Sequence, residues 1–264
     1  MGLRVGVNGA GGRMGQRVVA LTMKDSELTL AAALEWSGSS VIGHDAGEVA
    51  GAGKSGVLIT AELGDPVDVI IDFSTPAGLE AIMRTCESRR IPLVVATTGI
   101  TKEQREMVMS AAQTTPIVMA PSMSMAVNVV MKLVSEAARV LRNNADGVDV
   151  EIIERHHRFK ADAPSGTALR FGDVIASAMG KTEHQHGRHG DTGQRPPQQI
   201  GYHAVRVGDD PGQHTIIFGM MGELIELRVA ASNRDCYALG AFAAAKFLQN
   251  KSPGMYTMND VLGL

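Results

Sequence analysis

The chain has 264 residues, 44% of them hydrophobic and 20% charged, with a formal net charge of -3. That length admits one large domain or two small ones, each with its own core. The mildly acidic balance argues against a general nucleic-acid binder, which needs a basic surface to displace the counterions of phosphates.

No apolar run approaches the roughly 20 residues that span a bilayer. The opening MGLRVGVNGAGGRMG lacks the charged and then apolar pattern of a secretory leader, so no membrane contact and a cytoplasmic location are expected. Cys86 and Cys236 lie far apart and in no CxxC pattern. They read as thiols in a reducing compartment, without a disulfide framework or a zinc site.

In chain order, Leu3–Val7 reads as a short apolar strand, followed by a glycine-rich turn and a helix over Met14–Met23. Leu28–Leu34 is a second strand, and Ser37–Gly56, rich in Gly and Ser, a loop with some local helix. Val67–Phe73 (VDVIIDF) has the apolar character of a strand buried on both faces. Pro76 opens a helix to Ser88, since proline suits a first helical turn. Leu93–Ala96 is a strand, Lys102–Gln113 a helix and Ile117–Met119 a strand. Such alternation predicts an α/β domain with a parallel, Rossmann-type sheet and crossover helices on both faces.

Beyond Ala126 the pattern changes. A helix over Val127–Leu141 precedes a strand over Val148–Arg155 and a helix starting near Gly166. Ile200–Val207, His214–Gly219 and Glu223–Ala231 follow as strands, the last two as an antiparallel hairpin. This half reads as α+β with a mixed or antiparallel sheet. A final alanine-rich helix, Cys236–Gln249, is expected to pack back on the first domain. The expected domains are therefore 1–125 with 235–264, and 126–234. Gly180–Gln199, long, polar and His-rich, reads as either a functional lid or a disordered loop.

The first strand runs into Gly9-Ala10-Gly11-Gly12-Arg13-Met14-Gly15, a GxxGxxG variant of the dinucleotide fingerprint. Glycines there permit a tight turn, backbone approach to a pyrophosphate and close helix–strand packing. The free N–H groups and dipole of the helix start favour the phosphate charge. Glu35 ends the second strand, where an acidic residue accepts from ribose hydroxyls. Ala96-Thr97-Thr98-Gly99 and Ala120-Pro121-Ser122-Met123 each follow a parallel strand, the edge at which open α/β sheets bind ligands. Plain structural turns are the alternative for both.

The chemically richest segment runs from Glu151 to Leu169. His156, His157 and Lys160, with Arg155 and Arg158, form a positive cluster suited to a small dicarboxylate. Histidine exchanges a proton near neutrality, and a nearby lysine can donate one or lower the imidazole pKa. No third ligand appears at a familiar metal spacing, so no metal is expected. Ser165-Gly166-Thr167 at a helix start has two readings, a carboxylate cradle or a helix cap.

The pattern E-x-x-E-x-H-H-x-x-K-x-D-A-P-S-G-T-A-L resembles the signature of the 4-hydroxy-tetrahydrodipicolinate (dihydrodipicolinate) reductases of the diaminopimelate and lysine pathway. GAGGRMG at Gly9, SSVIGHDAGEVAGAGKSGV from Ser39, DFSTP at Asp72, ATTG at Ala96, VNVVMKL from Val127 and the terminal DVLGL resemble the same family in order. The resemblance implies a Rossmann domain completed by the last helix, and an α+β domain that builds a homotetramer through its sheets. It implies hydride transfer from NADH or NADPH to C4 of a cyclic substrate, with loss of water. It places His156 and Lys160 as the acid pair, with His156 the proton donor. His157, Gly166 and Thr167 would hold substrate; Gly9 to Met14, Glu35, Ala96 to Thr98 and Ala120 to Met123 would hold cofactor.

Two positions depart from the family. Some relatives follow the acidic residue with an Arg that grips the NADPH 2′-phosphate; here Trp36 follows Glu35, which predicts a preference for NADH. Relatives often carry an Asn in the loop that here reads Ala120-Pro121-Ser122-Met123, so main-chain contacts are expected from it. Two alternatives stand beside this reading: another two-domain nicotinamide dehydrogenase, and a nucleotide-binding sensor that kept the fold without catalysis. A thioester-forming aldehyde enzyme would need a nucleophilic cysteine in a suggestive loop, which neither Cys86 nor Cys236 provides.

Overall fold

The computed structural model describes residues 2–264. In chain order the elements are β1 (Leu3–Asn8), α1 (Arg13–Thr22), β2 (Leu28–Leu34), α2 (Ala46–Val49), β3 (Ile59–Thr60), β4 (Val69–Asp72), α3 (Pro76–Arg89), β5 (Leu93–Val95), α4 (Lys102–Ala111) and β6 (Pro116–Met119). There follow α5 (Met125–Leu141), β7 (Asp149–His156), α6 (Gly166–Met179), β8 (Glu183–His186), β9 (Gln199–Arg206), β10 (Gln213–Met220), β11 (Glu223–Ala230), α7 (Asp235–Leu248), β12 (Gly254–Tyr256) and α8 (Met258–Leu262). The chain divides into two compact units, one extending to Met125 and resuming at Arg234–Leu264, the other Ala126–Asn233. No helix among the described residues is long and apolar enough to cross a membrane.

The first unit is built on a seven-stranded sheet, ordered β12-β6-β5-β4-β1-β2-β3, with every pairing parallel. Successive side chains of a strand point to opposite faces. Val69 and Ile71 therefore join one core with Val5, Val7 and the α7 residues Ala241 and Phe242, while Ile70 joins a second core with Leu79, Ile82 and Val108 of α3 and α4. Burial on both faces is why these strands read as apolar runs rather than alternating ones. Three elements of this unit have no counterpart in the sequence reading. β3 and α8 are short, and β12 (GMY) extends the sheet beyond β6. A strand of two or three residues is defined by its neighbour, not by its own pattern.

The last long helix packs on this sheet, as the alanine-rich pattern predicts. α7 lies so close that a Cβ added at Gly240 would overlap the main-chain carbonyl oxygen of Met123. Alanine in a helix interior is favoured over glycine by about 1 kcal/mol. Overlap with backbone cannot be relieved by a rotamer change, and overpacking costs about 1–3 kcal/mol. Gly240→Ala is therefore expected to lower stability overall, read as a fall in the urea midpoint at unchanged slope.

The second unit has a mixed five-stranded sheet, β11-β10-β7-β9-β8. β7 and β8 run parallel to β9, and β10 runs antiparallel to both β7 and β11. Val134 and Ala138 of α5 and Phe171 and Ile175 of α6 pack on the inward Val150, Ile152, Ile200, Ile216 and Phe218. Gly180–Gln199, expected as a lid or a disordered loop, is not structureless. It contributes β8, where His184 Nδ1 meets the Tyr202 hydroxyl at 2.7 Å and His186 stacks on the same ring at 5.1 Å. Arg188 and Arg195 then tie the segment to Glu151 of β7 at 2.8 and 2.9 Å. Polar contacts hold this edge, so no apolar alternation announces it.

Candidate active site

In the N-terminal unit, the turn after β1 has Gly9 at φ +81°, a conformation that glycine adopts without strain. The N–H groups of Gly9 and Ala10 both donate to the Leu34 carbonyl of β2, at 2.9 and 3.0 Å, and Gly12 N–H to the Gly9 carbonyl at 3.0 Å. Gly11 N–H donates to Glu35 Oε2 at 2.9 Å. The donors of Gly9 to Gly12 are thus used in building the turn. The first bond of α1 is Gln16 N–H to the Gly12 carbonyl, which leaves the N–H groups of Arg13, Met14 and Gly15 without helical acceptors. A Cβ at Gly15 would overlap the Gly9 carbonyl, so helix and turn meet at a distance only glycine allows.

A cleft of about 600 Å3 opens beside this turn, walled by Asn8, Gly9, Gly12, Glu35, Trp36 and the Phe73–Gly78 segment. Donor-bearing helix start, glycine turn and cleft together fit a dinucleotide. Ala96 to Thr98 and Ala120 to Met123 do not line this cleft. They follow β5, which pairs with β4, and β6, which pairs with β5, so both loops emerge side by side at the C-terminal strand ends.

Asp72, at the end of β4, is fully buried and joins these segments. Its carboxylate accepts from Asn8 Nδ2 at 2.7 Å, the Ser74 hydroxyl at 2.5 Å and the Thr97 hydroxyl at 2.6 Å. Burial pushes its pKa up, against those three hydrogen bonds. Thr97 therefore offers its hydroxyl to Asp72, Thr98 is exposed, and Ala120 and Met123 are buried, with Pro121 exposed between them. The Ser122 hydroxyl oxygen accepts from Ser124 N–H at 3.3 Å. Sequence reasoning placed Asp72 in a family motif without a role. Nothing local indicates that one carboxylate would knot three strand ends.

In the C-terminal unit, β7 alternates Glu151, Ile153 and Arg155 outward with Ile152, Glu154 and His156 inward. Glu154 is almost wholly buried and makes four contacts. It meets His156 Nδ1 at 2.6 Å, Ser165 N–H at 3.0 Å, and Arg206 through two parallel bonds of 2.8 Å. Burial raises its pKa, but the bonds from Arg206 and then His156 bring it below the ordinary carboxylate value. The pKa of His156 is lowered, first by burial, against the raising effect of Glu154; the charges of Lys160 and Arg206 lower it further. With Nδ1 engaged, Nε2 is the remaining nitrogen. A Cβ at Gly212 would stand 2.8 Å from that Nε2, so the glycine keeps the space beside it clear.

The proposed positive cluster needs correction. Arg155 points to the opposite face and pairs with Asp210 at 2.6 Å, because adjacent strand residues face opposite ways. Arg158 supplies a main-chain N–H to Gly208. Lys160 pairs with Asp162 at 2.8 Å. The guanidinium near His156 is Arg206, set beside it by the β7–β9 register. The sequence reading missed Arg206 and His214. His214 is buried, contacts the Ser165 hydroxyl at 3.0 Å and lies edge-on to His156, with ring centroids 5.3 Å apart. Burial, together with the charge of His156, lowers its pKa to about 4, so it is neutral at pH 7. Only the β7–β10 register, which pairs His214 with Glu154, brings it here.

Of the two readings of Ser165-Gly166-Thr167, the helix cap is present. The Ser165 hydroxyl caps α6 by accepting from Ala168 N–H at 3.2 Å. The N–H groups of Gly166 and Thr167 precede the first helical acceptor pairing, Leu169 N–H to the Ser165 carbonyl, and stay open to an anion. His157 Nδ1 is buried without a hydrogen-bond partner. His156, Lys160, Gly166 and Thr167 thus cluster around Glu154 and the start of α6.

Family models for the dihydrodipicolinate reductase N-terminus and C-terminus match residues 3–123 and 126–262. The chain belongs to the dihydrodipicolinate reductase family. It is 54% identical to the 4-hydroxy-tetrahydrodipicolinate reductase of Rhodopirellula baltica, over 98% of this chain and 95% of that protein. It is 44% identical to the enzyme of that name from Hahella chejuensis, over 99% of both. Among solved structures it superposes on a dipicolinate-bound dihydrodipicolinate reductase from Paenisporosarcina sp. TG-14, with a TM-score of 0.78 and 25% identity over 98% of this chain and 99% of that one. The dihydrodipicolinate reductases are NAD(P)H-dependent oxidoreductases, and this chain's glycine turn and cleft fit a nicotinamide dinucleotide.

Proposed function

We propose that the chain reduces 4-hydroxy-tetrahydrodipicolinate to tetrahydrodipicolinate, releasing water, in diaminopimelate and L-lysine biosynthesis. The observation that carries this reading is the buried Glu154–His156 pair joined, through Ser165 N–H, to the helix start that leaves Gly166 and Thr167 N–H open. It sets a titratable acid beside an anion-binding turn, as a small dicarboxylate requires. The Paenisporosarcina relative is described with dipicolinate bound, a molecule of that class.

When bound, the reduced nicotinamide supplies the hydride that replaces the C4 hydroxyl, which leaves as water with one proton. The chain must deliver that proton. His156, held at Nδ1 by Glu154, is the donor through Nε2, and Lys160 is the second member of the acid pair. His157, with its unpartnered Nδ1, and the N–H groups of Gly166 and Thr167 hold the substrate carboxylates. Arg13 to Gly15 N–H hold the pyrophosphate, Glu35 the ribose, and the Ala96–Thr98 and Ala120–Met123 main chains the nicotinamide end. We assign residues up to 125 with 235–264 to cofactor binding, and 126–234 to substrate binding and oligomerisation.

NADH is the preferred reductant. Glu35 lines the cleft, no Lys or Arg among the described residues does, and Trp36 stands where some relatives carry Arg. A 2′-phosphate there would meet a like charge. The test is steady-state oxidation of NADH and NADPH, with substrate formed in situ by condensing pyruvate and aspartate semialdehyde. The expected result is turnover with the larger kcat/KM for NADH. A larger value for NADPH would overturn the preference, and binding of either nucleotide without turnover would make the chain a sensor on this fold.

The assembly is a homotetramer formed through the five-stranded sheet. Helices cover one of its faces, while Ile153, Val205 and Leu224 lie exposed on the other. Exposed apolar side chains grouped on one face favour burial against a second copy. Sedimentation velocity is expected to give a tetramer, and Ile153→Glu to shift it toward smaller species. Cys86 and Cys236, which form no disulfide among the described residues, accord with a cytoplasmic location.

A further inference from the structure

The C-terminal unit holds a second cavity, of about 360 Å3, at the end of its sheet opposite His156. It is walled by the start of β7 (Val148, Asp149), the end of β10 (Gly219, Met220), and by Arg142 and Lys181. β7 carries Asp149 at one end and His156 at the other, seven residue steps or about 23 Å apart at strand rise. The cavity is therefore separate from the acid pair and from the α6 helix start.

Its charges are unequally matched. Arg195 is fully engaged, with Glu151 at 2.9 Å, Asp149 at 2.8 Å and the carbonyls of Val150 and Gln199. One oxygen of the Asp149 carboxylate is taken up by Arg195. Lys181 is nine-tenths buried, and its only hydrogen-bond acceptor among the described residues is the Pro197 carbonyl, which meets one of three N–H donors. Arg142 is exposed and makes no side-chain hydrogen bond or ion pair among the described residues. Asp146 is the other carboxylate in the wall, so two carboxylates face Arg142, Lys181 and Arg195. Burial, and then the charge of Arg195, lowers the Lys181 pKa, and the Asp149 charge offsets this only in part. A buried ammonium with unmet donors calls for an anion or ordered water.

We propose that this cavity binds a small organic or inorganic anion, its carboxylate or phosphate group set against Lys181 and Arg142. The space exceeds that of a bare oxyanion and suits a compact metabolite bearing one.

The test is calorimetric titration of the full chain with inorganic phosphate and, separately, with malonate. Wild type, Lys181→Met, Arg142→Gln and His157→Ala are compared. Charge-assisted hydrogen bonds of this kind carry about tenfold or more in affinity. The expected result is binding of at least one probe that weakens by that factor in Lys181→Met and Arg142→Gln and persists in His157→Ala. The more affected probe identifies the phosphate or carboxylate source. Arg142 is exposed, so its variant folds even if Lys181→Met does not. Binding unchanged in Arg142→Gln, binding lost only in His157→Ala, or no binding of either probe would overturn the proposal.

Discussion

Alanine at position 156 is expected to lower kcat by about 10²–10⁴-fold, the usual worth of a positioned acid, with NADH affinity nearly unchanged. The asymmetry follows from where the residue sits. His156 ends β7 in the C-terminal unit, whereas the glycine turn, Glu35 and the adjoining cleft belong to the N-terminal unit. Lys160→Ala is expected to fall in the same range. Residues that act as a unit are not additive, so the double variant should lose little more than the worse single one. Single-turnover kinetics with saturating NADH, together with direct NADH titration, separate the two effects. Equal loss of NADH affinity in both single variants would contradict the acid assignment, and so would a double variant whose loss is the product of the two.

Glu154→Gln is expected to move the pH profile as well as the rate. A proton donor works in its charged form, so activity is present below the donor's pKa and is lost as pH rises through it. In the native chain burial lowers the His156 pKa, while the hydrogen bond and charge of Glu154 raise it. Glutamine keeps the size but carries no charge. The His156 pKa then falls further, the descending limb of kcat/KM moves to lower pH, and turnover at neutral pH drops by about tenfold or more. The variant also strands Arg206, which Glu154 holds through two bonds of 2.8 Å. Breaking a buried ion pair by removing one partner costs about 3–5 kcal/mol. Adding Arg206→Gln should therefore recover stability and, because the Arg206 charge itself lowers the His156 pKa, move the pH limb only part of the way back, since the larger raising effects of Glu154 stay lost. If the single variant unfolded at a higher urea concentration, or if the limb stayed in place, Glu154 would not be the positioning residue described.

Much of the architecture is written in local pattern. The apolar strands of the first unit, Pro76 at a helix start, and the glycine turn entering α1 each carry their own signal, because burial on two faces, a fixed φ and a close helix–strand contact restrict which residues can occupy those positions. The same holds for the alternation of β7, which sets Glu154 and His156 on one face and Arg155 on the other. Nearest-neighbour chemistry likewise placed His156, Lys160 and the Ser165 cap in a single segment.

What chain order could not supply was register. Arg206 reaches Glu154 from 52 residues away and His214 reaches Ser165 from 49, each brought there by a strand pairing rather than by any feature of its own sequence. Asp72 gathers Asn8, Ser74 and Thr97 because β1, β4 and β5 end side by side. Short edge strands such as β8 and β12 exist only against a partner. The sequence by itself determined the two-unit plan, the cofactor turn and the acid-bearing segment. The tertiary structure alone decided which charges offset one another, because hydrogen bonds and ion pairs depend on distance in space and not on separation along the chain.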